Sequence, residues 1–173
     1  VVNILCGDPE EVATTLSKST IPRLVTMIGS TNTGKRVIAD STTSIKKLSM
    51  ELGGNAPFIV FDDADFEAAL DLAIGIKFGN SGQICVAANR FFIHKNIFDS
   101  FLKAYVERVN KIKLGFGKNE KVDMGPLINF QARKRIMNLV KDAVNNGAHV
   151  ETGGNIPEKF KKGYWLEPTV LSN

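Results

Sequence analysis

Short apolar runs of strand type alternate along this chain with patterns typical of amphipathic helices. The strand-type runs are Val1–Leu5, Arg23–Ile28, Ile45–Leu52, Pro57–Phe61, Phe91–Ile93, His149–Glu151 and Tyr164–Leu166. Helices are predicted to begin near Asp8, after Gly34, at Phe66, at Asn96 and at Asn129. This alternation predicts an α/β fold with three layers and mainly parallel strands.

The composition favours a soluble globular domain over a nucleic-acid or membrane protein. The chain has 173 residues, of which 43% are hydrophobic and 23% charged, close to the globular average. Its net charge of +4 comes from scattered lysines and arginines rather than from a basic stripe. No apolar run reaches membrane-spanning length. We therefore expect neither a nucleic-acid partner nor a membrane partner.

The two cysteines, Cys6 and Cys85, occur in unlike settings and are too few for a disulfide framework. This usage predicts a reducing, cytoplasmic compartment. Cys6 precedes a helix start and is expected to be structural. Cys85 follows small and polar residues, in Gly79-Asn80-Ser81-Gly82-Gln83-Ile84, which predicts a tight turn that presents the thiol on a loop or a helix start.

A carboxylate precedes a glycine pair in a second stretch, Met50-Glu51-Leu52-Gly53-Gly54-Asn55. We expect Glu51 and Cys85 to meet around a substrate. The glycine pair is also the best candidate for a hinge between two α/β units.

A glycine-rich turn between a strand and a helix forms a third stretch. It comprises Gly29, Ser30, Thr31, Asn32, Thr33 and Gly34. Free backbone N–H groups at a helix N-terminus attract phosphate, and hydroxyls add donors. The turn matches neither the dinucleotide fingerprint nor a P-loop, so an ordinary capped helix would look similar.

Other polar clusters are interpreted as structural. Asp62, Asp63 and Asp65 are expected to cap the helix that follows, and His94 and His149 have no partner at metal or triad spacing. No metal site is expected.

A cysteine, a glutamate and a phosphate-binding turn form a coherent chemical set. A thiolate can attack a carbonyl, and the resulting oxyanion needs donors such as the Cys85 backbone N–H. Loss of hydride leaves a thioester, which a carboxylate such as Glu51 can release by activating water.

These stretches resemble the aldehyde dehydrogenase superfamily. The residues from Met50 to Pro57 resemble its glutamate signature, those from Phe78 to Asn89 its cysteine signature, and Gly29 to Gly34 its nicotinamide-dinucleotide turn. All three follow in family order, and the resemblance runs essentially from Val1 to Asn173.

The resemblance implies a role for each matched residue. Cys85 would be the nucleophile and Glu51 the activator of the hydrolytic water. The turn from Gly29 to Gly34 would hold the pyrophosphate of NAD or NADP, with Leu52 and Gly53 near the nicotinamide. No tightly bound cofactor is expected on the isolated chain.

Family members are much longer, so the resemblance implies an internal fragment without activity of its own. Residues 1–52 would be the tail of a Rossmann-like coenzyme domain, and residues 53–173 the first part of the catalytic domain. The parent protein would be a homodimer or homotetramer.

The substrate is expected to be a small aldehyde. The residues from Gln83 to Arg90 are similar to succinate-semialdehyde enzymes, while Asn80-Ser81-Gly82-Gln83 also resembles lactaldehyde and glycolaldehyde enzymes. Two alternatives stay open: a CoA-acylating dehydrogenase, which Glu51 disfavours, and a non-catalytic structural relative, which the presence of both Cys85 and Glu51 disfavours.

Overall fold

The chain folds as two α/β units. A computed structural model describes residues 1–118 and 121–173, which divide into Val1–Gly54 and Asn55–Asn173. The strands of the first unit, and the first strand pair of the second, run parallel, so the predicted α/β class with parallel pairing is confirmed. The assignment of residues 1–52 and 53–173 to a coenzyme and a catalytic domain stays a prediction.

The first unit is built on one parallel strand pair flanked by helices. Its elements are α1 (Pro9–Lys18), β1 (Leu24–Gly29), α2 (Thr31–Asp40), a 3₁₀ turn (Ser41–Thr43) and β2 (Lys47–Leu52). The register of the pair sets Ile28 opposite Glu51 and Gly29 opposite Leu52.

The start of α1 follows its predicted capping pattern. The Asp8 carboxylate accepts hydrogen bonds from the backbone N–H groups of Glu10 and Glu11, both at 3.0 Å. Pro9 occupies the first helical position, where its missing N–H costs nothing.

The predicted strand Val1–Leu5 is wrong. These residues form no strand, and their side chains are exposed. No other strand of the described part of the chain pairs with them, and an apolar run without a pairing partner gains nothing from an extended conformation.

The second unit contains two strand pairs and three α-helices. Its elements are β3 (Ala56–Val60), α3 (Phe66–Phe78), a 3₁₀ turn (Gly79–Gly82), β4 (Ala88–Ile93), α4 (Phe98–Val109), α5 (Phe130–Asn145), β5 (His149–Thr152) and β6 (Val170–Ser172). The pair β3 and β4 is parallel, whereas β5 and β6 are antiparallel.

The core of this unit lies between α3, α4 and the pair of β3 and β4. Leu70 and Ala73 of α3 and Phe101 and Val109 of α4 are buried. The Tyr105 ring packs among aromatic rings at centroid distances of 5.5–6.4 Å. The sequence pattern of α4 predicts an aromatic face turned to the core, and the burial of Phe101 and Tyr105 confirms it. The stacking of Tyr105 on Phe78 fixes the end of α3 from which the Cys85 loop departs.

Three local predictions in this unit are wrong. Asn96 does not cap α4, which starts at Phe98, because the Asn96 amide instead donates to Asp62 at 2.8 Å. Residues 164–166 form no strand; Trp165 is buried there, stacked on Phe160 at 3.8 Å. The sequence pattern of α5 predicts that Leu139 and Val144 face inward, but both side chains are exposed.

In the described parts of the chain, no helix is both long enough and apolar enough to cross a bilayer.

Candidate functional site

The loop from Gly79 to Ala87, here called the Cys85 loop, joins α3 to β4 and carries Cys85. Asn80 and Ser81 have φ values of 49° and 59°, and Gly82 follows at 72°. Three consecutive residues in the left-handed region reverse the chain sharply. A hydrogen bond of 3.0 Å from Ala87 N–H to the Ile84 carbonyl then closes a turn around Cys85. The thiol is exposed at the tip of this turn.

The Cys85 loop is held to a distant segment by two side chains. The Ser81 hydroxyl donates to the Gly125 carbonyl at 2.8 Å, and Ile128 N–H donates to Gln83 Oε1 at 2.9 Å. The other end of the Gln83 amide donates to the Asn80 carbonyl at 3.1 Å. Gln83, two positions before Cys85, therefore connects the loop both to itself and to residues 125–128.

Glu51 lies near the end of β2 with an exposed side chain. In the described part of the chain its carboxylate takes part in no hydrogen bond or ion pair, so its oxygens are free to bind water. Cys85 belongs to the other unit.

The predicted cofactor turn is partly helix. Gly29 ends β1 and Ser30 is the N-cap, while Thr31 to Gly34 form the first turn of α2 rather than a loop before it. Ser30 Oγ accepts from Thr33 N–H at 3.1 Å, and the Ser30 carbonyl accepts from Gly34 N–H at 2.9 Å. The N–H groups of Thr31 and Asn32 have no acceptor within the helix and remain available to an anion.

The β1–β2 register brings Leu52 and Gly53 to this turn. Leu52 is paired with Gly29, and Gly53 N–H donates to the Gly29 carbonyl at 3.2 Å. A Cβ at Gly34 would lie 3.0 Å from both Leu52 methyl groups, so glycine permits the close approach of α2 to β2. The predicted cofactor residues of the first unit are therefore brought together.

A cleft of about 190 Å³ lies beside the turn, between α1 and α2. Ala13 and Thr14 of α1 and Thr33 and Val37 of α2 line it. At its rim Arg36 donates to Glu10, and this hydrogen bond and its charge raise the pKa of Arg36.

No group of three His, Cys, Asp or Glu side chains within residues 1–118 and 121–173 is arranged to hold a metal ion. His94 Nδ1 instead lies 3.3 Å from Asp62 Oδ2, close to the start of α4.

A comparison with known families agrees with these features. The family model described as "Aldehyde dehydrogenase family" matches residues 1–173, the whole chain. The chain belongs to the aldehyde dehydrogenase family.

Relatives of this aldehyde dehydrogenase chain include named enzymes and solved structures. Succinate-semialdehyde dehydrogenase [NADP(+)] 1 of Schizosaccharomyces pombe is 44% identical over 170 residues, covering 98% of this chain and 34% of the relative. The crystal structure of succinate-semialdehyde dehydrogenase from Burkholderia pseudomallei matches with a TM-score of 0.92 at 42% identity, over 97% of this chain and 34% of that one.

A third relative was solved with a bound cofactor. Betaine aldehyde dehydrogenase from Staphylococcus aureus, in complex with NAD+, matches with a TM-score of 0.92 at 37% identity, over 96% of this chain and 34% of that one. The chain thus spans about a third of the length of the relatives that it matches.

Several residues of the site could not be found from the sequence of this aldehyde dehydrogenase chain. Glu10 and Arg36, which are hydrogen-bonded at the rim of the cleft, are separated by 26 positions of sequence. Gln83 and Ile128, which are hydrogen-bonded to each other, are separated by 45. No motif links such pairs, because the fold alone brings them together. The Gly-Gln dipeptide before Ile84 was a signal for a turn, but not for the partner of the Gln83 amide.

Proposed function

We propose that the protein containing this chain oxidises a small aldehyde to a carboxylic acid with NAD or NADP, using Cys85 as nucleophile. The observation that carries this function is the exposed Cys85 thiol at the tip of a hydrogen-bonded turn, on a loop anchored by Ser81 and Gln83. Such anchoring supports a thiol held in one direction for reaction. The function belongs to the whole protein, and the isolated 173-residue chain is expected to be inactive.

In the first step, the Cys85 thiol gives its proton to a water molecule, and its sulfur adds to the aldehyde carbon. The carbonyl oxygen becomes an oxyanion, towards which the backbone N–H of Cys85 can donate. The oxyanion then re-forms the carbonyl as the C–H bond breaks, and a thioester to Cys85 remains. A bound nicotinamide ring would supply the acceptor for this hydride.

In the second step, Glu51 takes a proton from a water molecule whose oxygen attacks the thioester carbon. The C–S bond breaks, which releases the acid and regenerates the Cys85 thiolate. An exposed carboxylate with no ion-pair partner in the described part of the chain supports this role, because its basic oxygens are not already occupied.

The pyrophosphate of the cofactor is proposed to lie at the start of α2. Gly29 ends β1 directly before this turn, Gly34 lets α2 pack closely on Leu52, and Ser30, Thr31, Asn32 and Thr33 supply hydroxyl and backbone donors. The adjoining cleft between α1 and α2 would take the adenosine half, and Leu52 and Gly53 would lie near the nicotinamide. The named relatives use NADP+ or were solved with NAD+, which supports a nicotinamide cofactor of either kind.

Semialdehydes are the proposed substrates. This class is supported by the succinate-semialdehyde enzymes at 42–44% identity, while the betaine aldehyde enzyme shows that similar chains act on other aldehydes. We also propose a cytoplasmic homodimer or homotetramer without nucleic-acid or membrane partners.

The function is tested by replacing Cys85 in the full-length protein. Cys85→Ser is expected to lower kcat/KM by roughly 10⁴-fold or more, because the hydroxyl is a far weaker nucleophile than a thiolate. Cys6→Ser, a matched change of the other exposed cysteine, is expected to leave the rate unchanged. The measurement is NADH or NADPH formation with a panel of aldehydes.

The product of the same assay separates the alternatives. Free acid without added CoA supports hydrolysis through Glu51, whereas acyl-CoA formed only with CoA would identify an acylating enzyme. No reduced cofactor with any aldehyde, together with equal slow labelling of Cys6 and Cys85 by iodoacetamide, would identify a non-catalytic relative.

A further inference from the structure

A side-chain hydrogen bond joins the two elements that flank the Cys85 loop. Lys77 is the penultimate residue of α3 and Asn89 is the second residue of β4. Lys77 Nζ donates to Asn89 Oδ1 at 2.7 Å. The bond spans twelve positions of sequence, and Cys85 lies between its two partners.

The chemical setting of Lys77 is unusual for a lysine. Its side chain is partly buried, and this burial lowers the pKa of the ammonium group. Within residues 1–118 and 121–173 no carboxylate lies within ion-pair distance of Nζ, and the neutral Asn89 amide is its hydrogen-bond acceptor. A partly desolvated cation without a counter-charge costs stability, which an apolar side chain of similar length would avoid. Stability alone therefore does not account for a lysine here.

Lys77 also lies next to Gly82 in the turn that precedes Cys85. A Cβ built on Gly82 would lie 3.0 Å from the Lys77 carbonyl oxygen and 4.0 Å from Nζ. The non-glycine residues Asn80 and Ser81 hold left-handed backbone conformations just before it. Such conformations persist only where surrounding contacts impose them.

The contacts on the two sides of the loop differ in kind. Ser81 and Gln83 connect it to residues 125–128 through neutral hydrogen bonds. Lys77 supplies a charged contact, and this contact reaches β4, the strand into which the loop runs. An ammonium donor gives a shorter and stronger hydrogen bond than a neutral one, so it suits a position that must not drift.

We propose that Lys77 is a positioning residue for the reaction of Cys85, acting through its hydrogen bond to Asn89 and its contact with the Gly82 turn. By joining the end of α3 to the start of β4, Lys77 fixes the position and direction of the Cys85 side chain. This role rests on the proposed function of Cys85.

The test compares Lys77→Met, Lys77→Arg, Asn89→Ala and the double variant Lys77→Met with Asn89→Ala, all in the full-length protein. Lys77→Met keeps the length and apolar stem but removes the donor. We expect a loss of about tenfold or more in kcat with little change in KM, because misplacing a nucleophile lowers the rate of chemistry rather than substrate binding. Lys103→Met, on the exposed surface of α4, is the matched control and should have no effect.

Two comparisons separate positioning from general destabilisation. Lys77→Arg should recover most of the lost rate, since it restores a charged donor. The double variant should be no slower than Lys77→Met, because both changes remove the same hydrogen bond. Failure of Lys77→Arg to recover any rate, or purely additive losses in the double variant, would overturn the role.

A readout that needs no dehydrogenase activity keeps this test independent of the proposed function. Iodoacetamide alkylation of Cys85 and Cys6 is followed by mass spectrometry, with Cys6 as internal reference. Lys77→Met should change the Cys85 rate relative to Cys6, and Lys77→Arg should restore it. An unchanged ratio of the Cys85 to the Cys6 alkylation rate in Lys77→Met overturns the positioning role even if Cys85 is catalytic. A fully active Cys85→Ser protein refutes the proposed function of Cys85 and leaves the alkylation result to be judged by itself.

Discussion

Gly82 packs the Cys85 loop back against Lys77 at the end of α3. Its φ of +72° disfavours any side chain, and an added Cβ would lie 3.0 Å from the Lys77 carbonyl oxygen. The neighbour is backbone and cannot move aside as a flexible side chain would. A single methyl group here therefore tests whether loop geometry matters to the reaction.

Gly82→Ala is expected to strain the loop by about 1–2 kcal/mol and to lower kcat with the strain, measured by steady-state kinetics on the full-length protein. Gly75→Ala is the matched control, because Gly75 lies in α3 with open space around its Cβ position. That control should keep full activity and gain about 0.5–1 kcal/mol of stability. A Gly82→Ala enzyme as fast as its parent would show that the turn is not needed.

At the scale of elements, the core between α3 and α4 contains one feature that lowers stability. The Tyr105 hydroxyl is buried, and no described residue offers it a hydrogen bond. Burial raises the pKa of Tyr105 well above its usual range. The buried hydroxyl therefore carries a desolvation penalty, which the packing of the Tyr105 ring must offset.

Tyr105→Phe is expected to raise the free energy of unfolding of the full-length protein by about 1 kcal/mol, since it removes an unpaired polar atom and keeps the ring. Tyr105→Ala should lose roughly 3–5 kcal/mol because it leaves a cavity. Chemical denaturation measures both changes. Marked destabilisation by Tyr105→Phe would mean that the hydroxyl has a partner in the whole protein.

The same residue has a pH signature of definite sign. Because its pKa is raised in the folded state, Tyr105 stays neutral there while the unfolded chain ionises above about pH 10. Ionisation of Tyr105 therefore leaves the free energy of unfolding unchanged below about pH 10 and lowers it as the pH rises further. Tyr105→Phe should flatten the fall in stability over this alkaline range.

How far the sequence predicts these elements depends on where their determinants lie. The α1 start at Asp8 and the α5 start at Asn129 were predictable, because each cap bonds to a backbone N–H within three residues. The α4 start was not predictable, because the Asn96 side chain does not cap the helix but donates to Asp62, which is 34 positions away. Likewise, the apolar character of residues 164–166 reflects the burial of Trp165 and does not indicate a strand.

The same distinction applies to the candidate site. The motifs around Cys85, Glu51 and Gly29 are contiguous stretches, so the sequence identifies them and the family to which they belong. The cleft between α1 and α2 and the anchoring of Gln83 by Ile128 depend on tertiary contacts, which no local pattern records.

At the scale of the whole molecule, the proposed chemistry divides between the two units. Glu51 and the cofactor turn belong to Val1–Gly54, whereas Cys85 and its anchored loop belong to Asn55–Asn173. The first step needs Cys85 and the second needs Glu51. Replacing Glu51 alone should therefore stop the reaction at the thioester.

The most direct measurement is the intact and peptide mass of full-length Glu51→Gln after mixing with succinate semialdehyde and NAD or NADP. We predict one acyl group on the peptide that contains Cys85, formed with one equivalent of reduced cofactor, and steady-state turnover about 10²–10⁴-fold slower than in the parent protein. Undiminished turnover without an adduct, or an acyl group on any residue other than Cys85, would contradict the account.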